Sequence, residues 1–371
     1  MQRSIPFFNY KALFAPQEEG LTAVMHDVMH RGAFIMQKDL HEFELNLAKF
    51  VGAKYAFGVA NGTDALIIAL RAAGIKPGDE VILPSHTYIA TPAAVHFAGA
   101  TPVLVECGTD HLIDPESVKA AVTSKTRAIM PVQLNGRTSD MEALQKIADE
   151  FDLLIIEDAA QGLGSKFQGQ CAGTFGAAGT FSFYPAKVLG CFGDGGAIVT
   201  NDDAVAEKVS LLRDHGRNPD GLVVDWGLNS RLDNLQAAIL DFKLRTFGQD
   251  IERRREIARR YQASLSEISD LVLPPGPDSD SNHYDVYQNY EIESSHRDAL
   301  RDHLKKDGIG TLIQWAGKAV HQFEHLNFNV SLPFTEKMFE RCLMLPMNIS
   351  LSDEDIDYIC ASIHQFYRLA A

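Results

Sequence analysis

Leu153-Leu154-Ile155-Ile156-Glu157-Asp158 is an apolar run of strand length that ends abruptly in two carboxylates, and it follows a helical window from Met141 to Phe151. A short, fully apolar strand after an amphipathic helix is the signature of a strand buried on both faces, as in parallel sheets whose crossovers are helices. The same alternation extends outward in both directions. Upstream stand strands at Tyr55 to Ala60, Glu80 to Leu83, Pro102 to Glu106 and Arg127 to Leu134. Helical windows lie between them at Thr63 to Leu70, around Pro92 to Phe97 and near Glu116 to Val122. Downstream, strands are expected at Gly179 to Phe183 and Ala197 to Thr200. This order predicts an α/β fold with a mainly parallel, mixed sheet flanked by helices.

Helices around Leu21 to Met29 and Leu40 to Phe50 precede the sheet. After Asn234 the texture changes: Leu235 to Tyr261 reads as one or two long helices, carrying the charge run Glu252-Arg253-Arg254-Arg255-Glu256. That run is expected to be a solvated helix face. The breaker cluster Pro274-Pro275-Gly276-Pro277 then marks a linker or turn before a smaller α+β segment. The expected division is a large domain over residues 1–250, including the N-terminal helices, and a small C-terminal domain over 251–371.

Composition narrows the class. The chain has 371 residues, 46% of them hydrophobic and 22% charged, which suffices for more than one core. No stretch approaches the roughly 18 apolar residues of a membrane helix, and Met1 to Pro6 lacks the apolar segment of a secretory signal, so the expected address is cytoplasmic. The net charge of -15 disfavours nucleic acid and anionic membranes as partners. The cysteines, Cys107, Cys171, Cys191, Cys342 and Cys360, form neither a zinc pattern nor a disulfide framework, and no metal is expected.

Four constellations carry chemistry. In Phe181-Ser182-Phe183-Tyr184-Pro185-Ala186-Lys187, a lysine follows an aromatic strand and a turn that Pro185 stiffens. Taken alone such a lysine is usually a surface residue, but in a dry site its amine would lose its proton and form Schiff bases. Gly193-Asp194-Gly195-Gly196 follows and permits close backbone approach to a flat ligand. Asp158 stands just past a strand end, where ligands of parallel sheets bind, and there a carboxylate can pair with a protonated ring nitrogen. Its bland alternative is a capping residue. Gly58-Val59-Ala60-Asn61-Gly62-Thr63-Asp64 is a strand-to-helix turn whose free N–H groups suit a phosphate, and it satisfies neither the P-loop nor the dinucleotide pattern. Tyr88 could stack on a planar ring or simply pack in the core.

Taken in order, Asn61-Gly62-Thr63-Asp64-Ala65-Leu66, Glu157-Asp158-Ala159-Ala160-Gln161, Ser182-Phe183-Tyr184-Pro185-Ala186-Lys187 and Gly193-Asp194-Gly195-Gly196 resemble the motif set of the DegT/DnrJ/EryC1/StrS sugar aminotransferases of fold type I. Leu212-Arg213-Asp214-His215-Gly216 and Gly227 to Asp233 extend the likeness. The resemblance implies pyridoxal 5'-phosphate as cofactor, passing through its pyridoxamine form. Lys187 would hold it covalently and shuttle the proton, and Asp158 would face the pyridine nitrogen. Gln161 would stand near the ring oxygen, Gly62, Thr63 and Ser182 would bind the phosphate, and Tyr88 would stack on the ring. It also implies a homodimer in which Asn229 reaches the neighbouring subunit's cofactor phosphate. Arg231, Gln314 and His321 are candidate substrate contacts. The implied reaction moves an amino group from glutamate to C3 or C4 of a nucleotide-linked ketosugar. A non-nucleotide cyclic ketone and a cofactor-binding sensor without turnover are the alternatives. The dehydratase branch, which replaces the lysine by histidine, is opposed by Lys187, and a nicotinamide oxidoreductase by the missing GxGxxG. Three segments depart from the family pattern: Pro131-Val132-Gln133-Leu134-Asn135-Gly136, Val188, and Gln314-Trp315-Ala316-Gly317-Lys318-Ala319-Val320-His321.

Overall fold

The computed structural model describes residues 3–370; Met1, Gln2 and Ala371 lie outside the described residues. Its centre is a seven-stranded sheet in the order β1-β9-β8-β5-β4-β2-β3. The strands are β1 (Tyr55–Val59), β2 (Glu80–Pro84), β3 (Thr101–Val105), β4 (Thr126–Ile129), β5 (Leu154–Asp158), β8 (Ala178–Ser182) and β9 (Gly196–Thr200). The short strands β6 (Lys166–Phe167) and β7 (Gln170–Cys171) form a separate hairpin. β2, β3, β4, β5 and β8 run parallel, whereas β9 is antiparallel to both its neighbours. The sheet is therefore mainly parallel and mixed, as the alternation predicts. Both its faces are covered. The helix Gly62–Ala72 packs Ile68, Ala69 and Leu70 against Val81, Ile156 and Ile198, and Met141–Phe151 sets Leu144 and Ile147 against Ile129 and Ile155.

Helix ends follow local chemistry. Asn61 caps Gly62–Ala72 by accepting from the N–H of Asp64 at 2.8 Å, and Asp140 caps Met141–Phe151 by accepting from Ala143 at 2.9 Å. One strand is shorter than its sequence suggests. In the run Arg127 to Leu134 the regular strand ends at Ile129, because Pro131 has no N–H to donate; Val132 still bridges Asp158, and the chain then turns through Leu134–Gly136 with Asn135 left-handed at φ 55°. That turn faces the candidate site.

The long charged segment splits into Asn234–Leu244 and Phe247–Leu265. The second helix bridges two cores: Phe247 and Ile251 pack with the sheet-side cluster, and Ile257, Ala258, Tyr261 and Leu265 with a cluster formed largely by the C-terminal segment. This corrects the reading of Glu252 to Glu256 as a solvated face. Arg254 and Arg255 are buried, at 7% and 5% exposure. Arg254 donates to the carbonyls of Tyr287 at 3.0 Å and Met347 at 2.9 Å, and Arg255 to those of Asp285 and Pro277, both at 2.9 Å. Where the helix passes from one core to the other, irregular chain crosses it, and buried carbonyls there need donors.

The C-terminal segment carries an antiparallel pair, Tyr290–Glu293 with Cys342–Leu345, flanked by the helices Arg297–Lys306 and Asp353–Ala370. Ile5 joins its core and bridges Ile309, so the start of the chain packs here as well. No helix among the described residues is long and apolar enough to cross a membrane.

Candidate active site

The carboxyl ends of β1, β2, β5 and β8 open onto one cavity of about 760 Å3, the side of a parallel sheet on which ligands bind. Asp158 is the last residue of β5 and Ser182 the last of β8; Gly62 and Thr63 open the helix after β1, and Tyr88 follows β2. All of these line the cavity together with Gln161, Lys187 and Gln314. Tyr88 is 57% exposed, so the packing alternative does not apply to it. Asn229, Arg231 and His321 are not among the lining residues. Asn229 is exposed and accepts from Arg231 at 2.7 Å, and Arg231 also pairs with Asp214. His321 is buried between Ser85 Oγ at 2.7 Å and the Glu336 carboxylate at 3.1 Å, where it fastens the segment after Gln314 to the end of β2.

Two glycines shape the corner of the cavity where the helix after β1 begins. A Cβ on Gly62 would meet the Cβ of Ser182 at 2.9 Å, and one on Gly196 would strike the Asn61 carbonyl at 2.5 Å. Only glycine lets the helix start, the end of β8 and the start of β9 converge so closely. The first-turn N–H groups of that helix have no partners within it, and the Ser182 hydroxyl faces the same corner of the cavity.

Electrostatics set the lysine against the carboxylate. Burial pushes the Lys187 amine below its ordinary pKa, with the nearby Asp158 carboxylate opposing the shift. Burial raises the Asp158 carboxyl, and the hydrogen bonds from Thr91 and from the N–H of Ala160, together with the charge of Lys187, pull it back. Thr91 Oγ1 donates to Asp158 Oδ2 at 2.7 Å and is itself hydrogen-bonded to Thr87 Oγ1 at 2.6 Å. Nothing in the sequence marks Thr91, which lies in the first turn of the helix Ala90–Phe97 while Thr87 precedes that helix.

Gln288 carried no signal at all. It arrives from the C-terminal segment, accepts from the N–H of Val188 at 2.7 Å and donates to the carbonyl of Ala186 at 2.8 Å, so it clamps the backbone on both sides of Lys187. At the far end, Gln161, Asn289, Gln314 and Trp315 line the cavity. Gln161 Oε1 accepts from the N–H of Asn135 at 2.8 Å, and Gln314 Nε2 donates to Asn135 Oδ1 at 3.0 Å. Among the departures, Gln133 does not face the cavity. It donates to buried Glu157 at 2.6 Å and accepts from the N–H of Ser139, while burial pushes the Glu157 carboxyl up to about 7.

The donor set fits pyridoxal 5'-phosphate. A glycine-walled helix start suits the phosphate, a buried carboxylate suits the pyridine nitrogen, and a desolvated lysine amine suits the aldehyde. Fold and site together define a fold type I pyridoxal-phosphate enzyme. Residues 17–364 match the family model of the DegT/DnrJ/EryC1/StrS aminotransferase family, and the chain belongs to that family. A pleiotropic regulatory protein of Geobacillus stearothermophilus is 40% identical over 370 residues, covering 98% of this chain and 99% of its own. A dTDP-3-amino-3,4,6-trideoxy-alpha-D-glucose transaminase of Streptomyces venezuelae is 39% identical, covering 92% of this chain and 91% of its own. The crystal structure of S. venezuelae DesV in complex with a ketimine intermediate superposes with a TM-score of 0.94 at 37% identity, covering 98% of each chain.

Proposed function

We propose that this chain moves the amino group of glutamate onto a keto carbon, C3 or C4, of a nucleotide-linked deoxy sugar, in the biosynthesis of an amino sugar of a surface polysaccharide or glycoconjugate. The observation that carries the reading is the meeting of Lys187 and Asp158 in a cavity of about 760 Å3, within the usual range for a small-molecule site. The relatives' names support the substrate class, since the S. venezuelae protein is named for transamination of a dTDP-linked sugar.

Bound there, pyridoxal phosphate supplies a carbonyl that exchanges with amines and a ring that takes up the electron pair left when a C–H proton is removed. In this reading Gly62, Thr63 and Ser182 hold its phosphate, Tyr88 covers its ring, Gln161 stands near its ring oxygen, and Asp158 keeps its ring nitrogen protonated. Lys187 Nζ, whose pKa burial lowers, removes the proton from the glutamate α carbon, and later delivers one to the sugar carbon that receives nitrogen. Glutamate leaves as 2-oxoglutarate and the ketosugar as an aminosugar, so atoms and charge balance over the two half-reactions. Gln314, Arg231 and His321 remain proposed substrate residues, Gln314 alone lining the cavity of this chain.

The reading includes a cytoplasmic homodimer with shared sites and a large domain over 1–250 joined to a small one over 251–371. Next to exposed Asn229 lies an apolar strip, Leu222, Val223, Val224 and Trp226, the last 88% exposed, which suits a self-complementary contact. Mixing Lys187→Ala chains with Asn229→Ala chains tests the sharing. Recovered activity supports it, and the mere average of the parents, with subunit exchange confirmed, refutes it. The activity itself is tested by loading the protein with glutamate and screening nucleotide ketosugars by mass for a carbonyl-to-amine exchange. The regulatory name of the Geobacillus relative favours a second reading, cofactor binding without turnover, and total absence of exchange across the panel would select it.

A further inference from the structure

Behind the substrate end of the cavity, His86, His111 and Glu291 meet in the interior, at 1%, 8% and 2% exposure. One ring nitrogen of each histidine is held by an oxygen. His86 Nδ1 lies 3.2 Å from the carbonyl of His111, and His111 Nε2 lies 3.1 Å from Glu293 Oε1. A carbonyl can only accept, so His86 carries its proton on Nδ1 and presents Nε2 as a bare lone pair. That atom is buried without a hydrogen-bond partner, 3.6 Å from Glu291 Oε2. His111 Nδ1 faces the same oxygen from 3.0 Å. Two histidines oriented by outer oxygens, with the remaining nitrogen of each turned on one carboxylate, are what a transition-metal site requires of its ligands and of the groups that hold them. Tetrahedral ligands about 2.0–2.1 Å from zinc stand about 3.3 Å from one another, a value the two nitrogen-to-oxygen separations of 3.6 and 3.0 Å bracket.

We propose that His86 Nε2, His111 Nδ1 and Glu291 bind a divalent transition-metal ion of the zinc class. A lone proton satisfies this cluster less well. On His111 it completes the links to Glu291 and Glu293 but leaves the His86 lone pair facing a carboxylate oxygen. The carboxylate is already fixed, since Gln314 Nε2 donates to Oε1 and Asn135 Nδ2 to Oε2, both at 2.9 Å. His111 is held in the left-handed region at φ 67°, which turns its ring inward. A small cavity of about 40 Å3, bordered by Asp110, His111, Asn135 and Glu291, adjoins the cluster. It supplies a path inward and room for a water as fourth ligand. The spacing hides the site in the sequence: His86 and His111 are 25 residues apart, and His111 and Glu291 180. Because Gln314 and Asn135 also shape the reactive cavity, the ion would hold that end rigid while touching no reacting atom.

The test treats the holoenzyme with a chelator, reloads it with ZnCl2 or CoCl2, dialyses it and measures metal per chain by mass spectrometry. The expected results are a single retained ion and, with Co2+, visible d–d bands of low-symmetry coordination. His86→Asn and His111→Gln should each retain little metal, while Glu293→Gln, which keeps all three ligands, should weaken binding roughly 10- to 100-fold. Wild type that retains no ion, a result that needs no variant to fold, would overturn the proposal. Retention by both histidine variants equal to wild type would overturn it too, by placing the metal elsewhere, the cofactor included.

Discussion

At the sheet end of the cavity Asp158 and Ser182 close strands, Gly62 opens the helix after β1, and Lys187 follows β8 by one turn. At the opposite end Asn135 meets Asn289 across 154 residues and Gln314 across 179, with Glu291 behind them. The first set is aimed by the backbone of the strand that precedes each residue. The second exists only because the C-terminal segment folds back over the turn at Asn135. Chemistry that hangs on strand ends is written in short motifs, whereas the side chains that would meet a substrate depend on how two distant segments dock.

If this contrast is correct, substitutions at the two ends fail differently. Lys187→Ala should give the largest effect, lowering turnover roughly 10^4-fold or more while cofactor binding through the phosphate persists. A rate within about twofold of wild type would remove the lysine from the mechanism. Asp158→Asn comes next, with colour retained and kcat reduced about a thousandfold because a neutral partner no longer holds the ring nitrogen protonated; stopped-flow bleaching by glutamate measures it directly.

Gln288→Ala sharpens the comparison, since it belongs to the far segment yet clamps the lysine turn. It should lower kcat about tenfold with KM for glutamate little changed, because it moves Lys187 without touching substrate. Loss of its two hydrogen bonds should cost about 1–3 kcal/mol of stability in a denaturant titration. A fall in stability at unchanged kcat would show the clamp to be structural only.

The smallest effect is a pH slope in the cofactor-free protein. The Lys187 amine has its pKa lowered by burial, so between the folded value and 10.5 the unfolded chain binds the extra proton and stability rises with pH. The Asp158 carboxyl is raised, so just above 3.8 the folded chain binds the extra proton and stability falls as pH rises. Lys187→Met should flatten the alkaline slope alone and Asp158→Asn the acid one. Melting curves across pH that match wild type in both ranges would mean that neither group is desolvated.

The sequence by itself determined the alternation of strands and helices, every strand of the central sheet, and the strand-end residues that line one cavity, because periodicity, caps and glycine turns act over a few residues. It misread what acts over long distances. Arg254 and Arg255 look like members of a solvated run and are buried under chain more than 20 residues away that needs their donors. Thr91, Gln288 and Glu291 carry no local mark of their contacts, and no window around His321 foretells its bond to Ser85, 236 residues away. Only the tertiary structure decided these, since burial and partner choice follow from which surfaces meet, and no short window of sequence contains both sides of a contact.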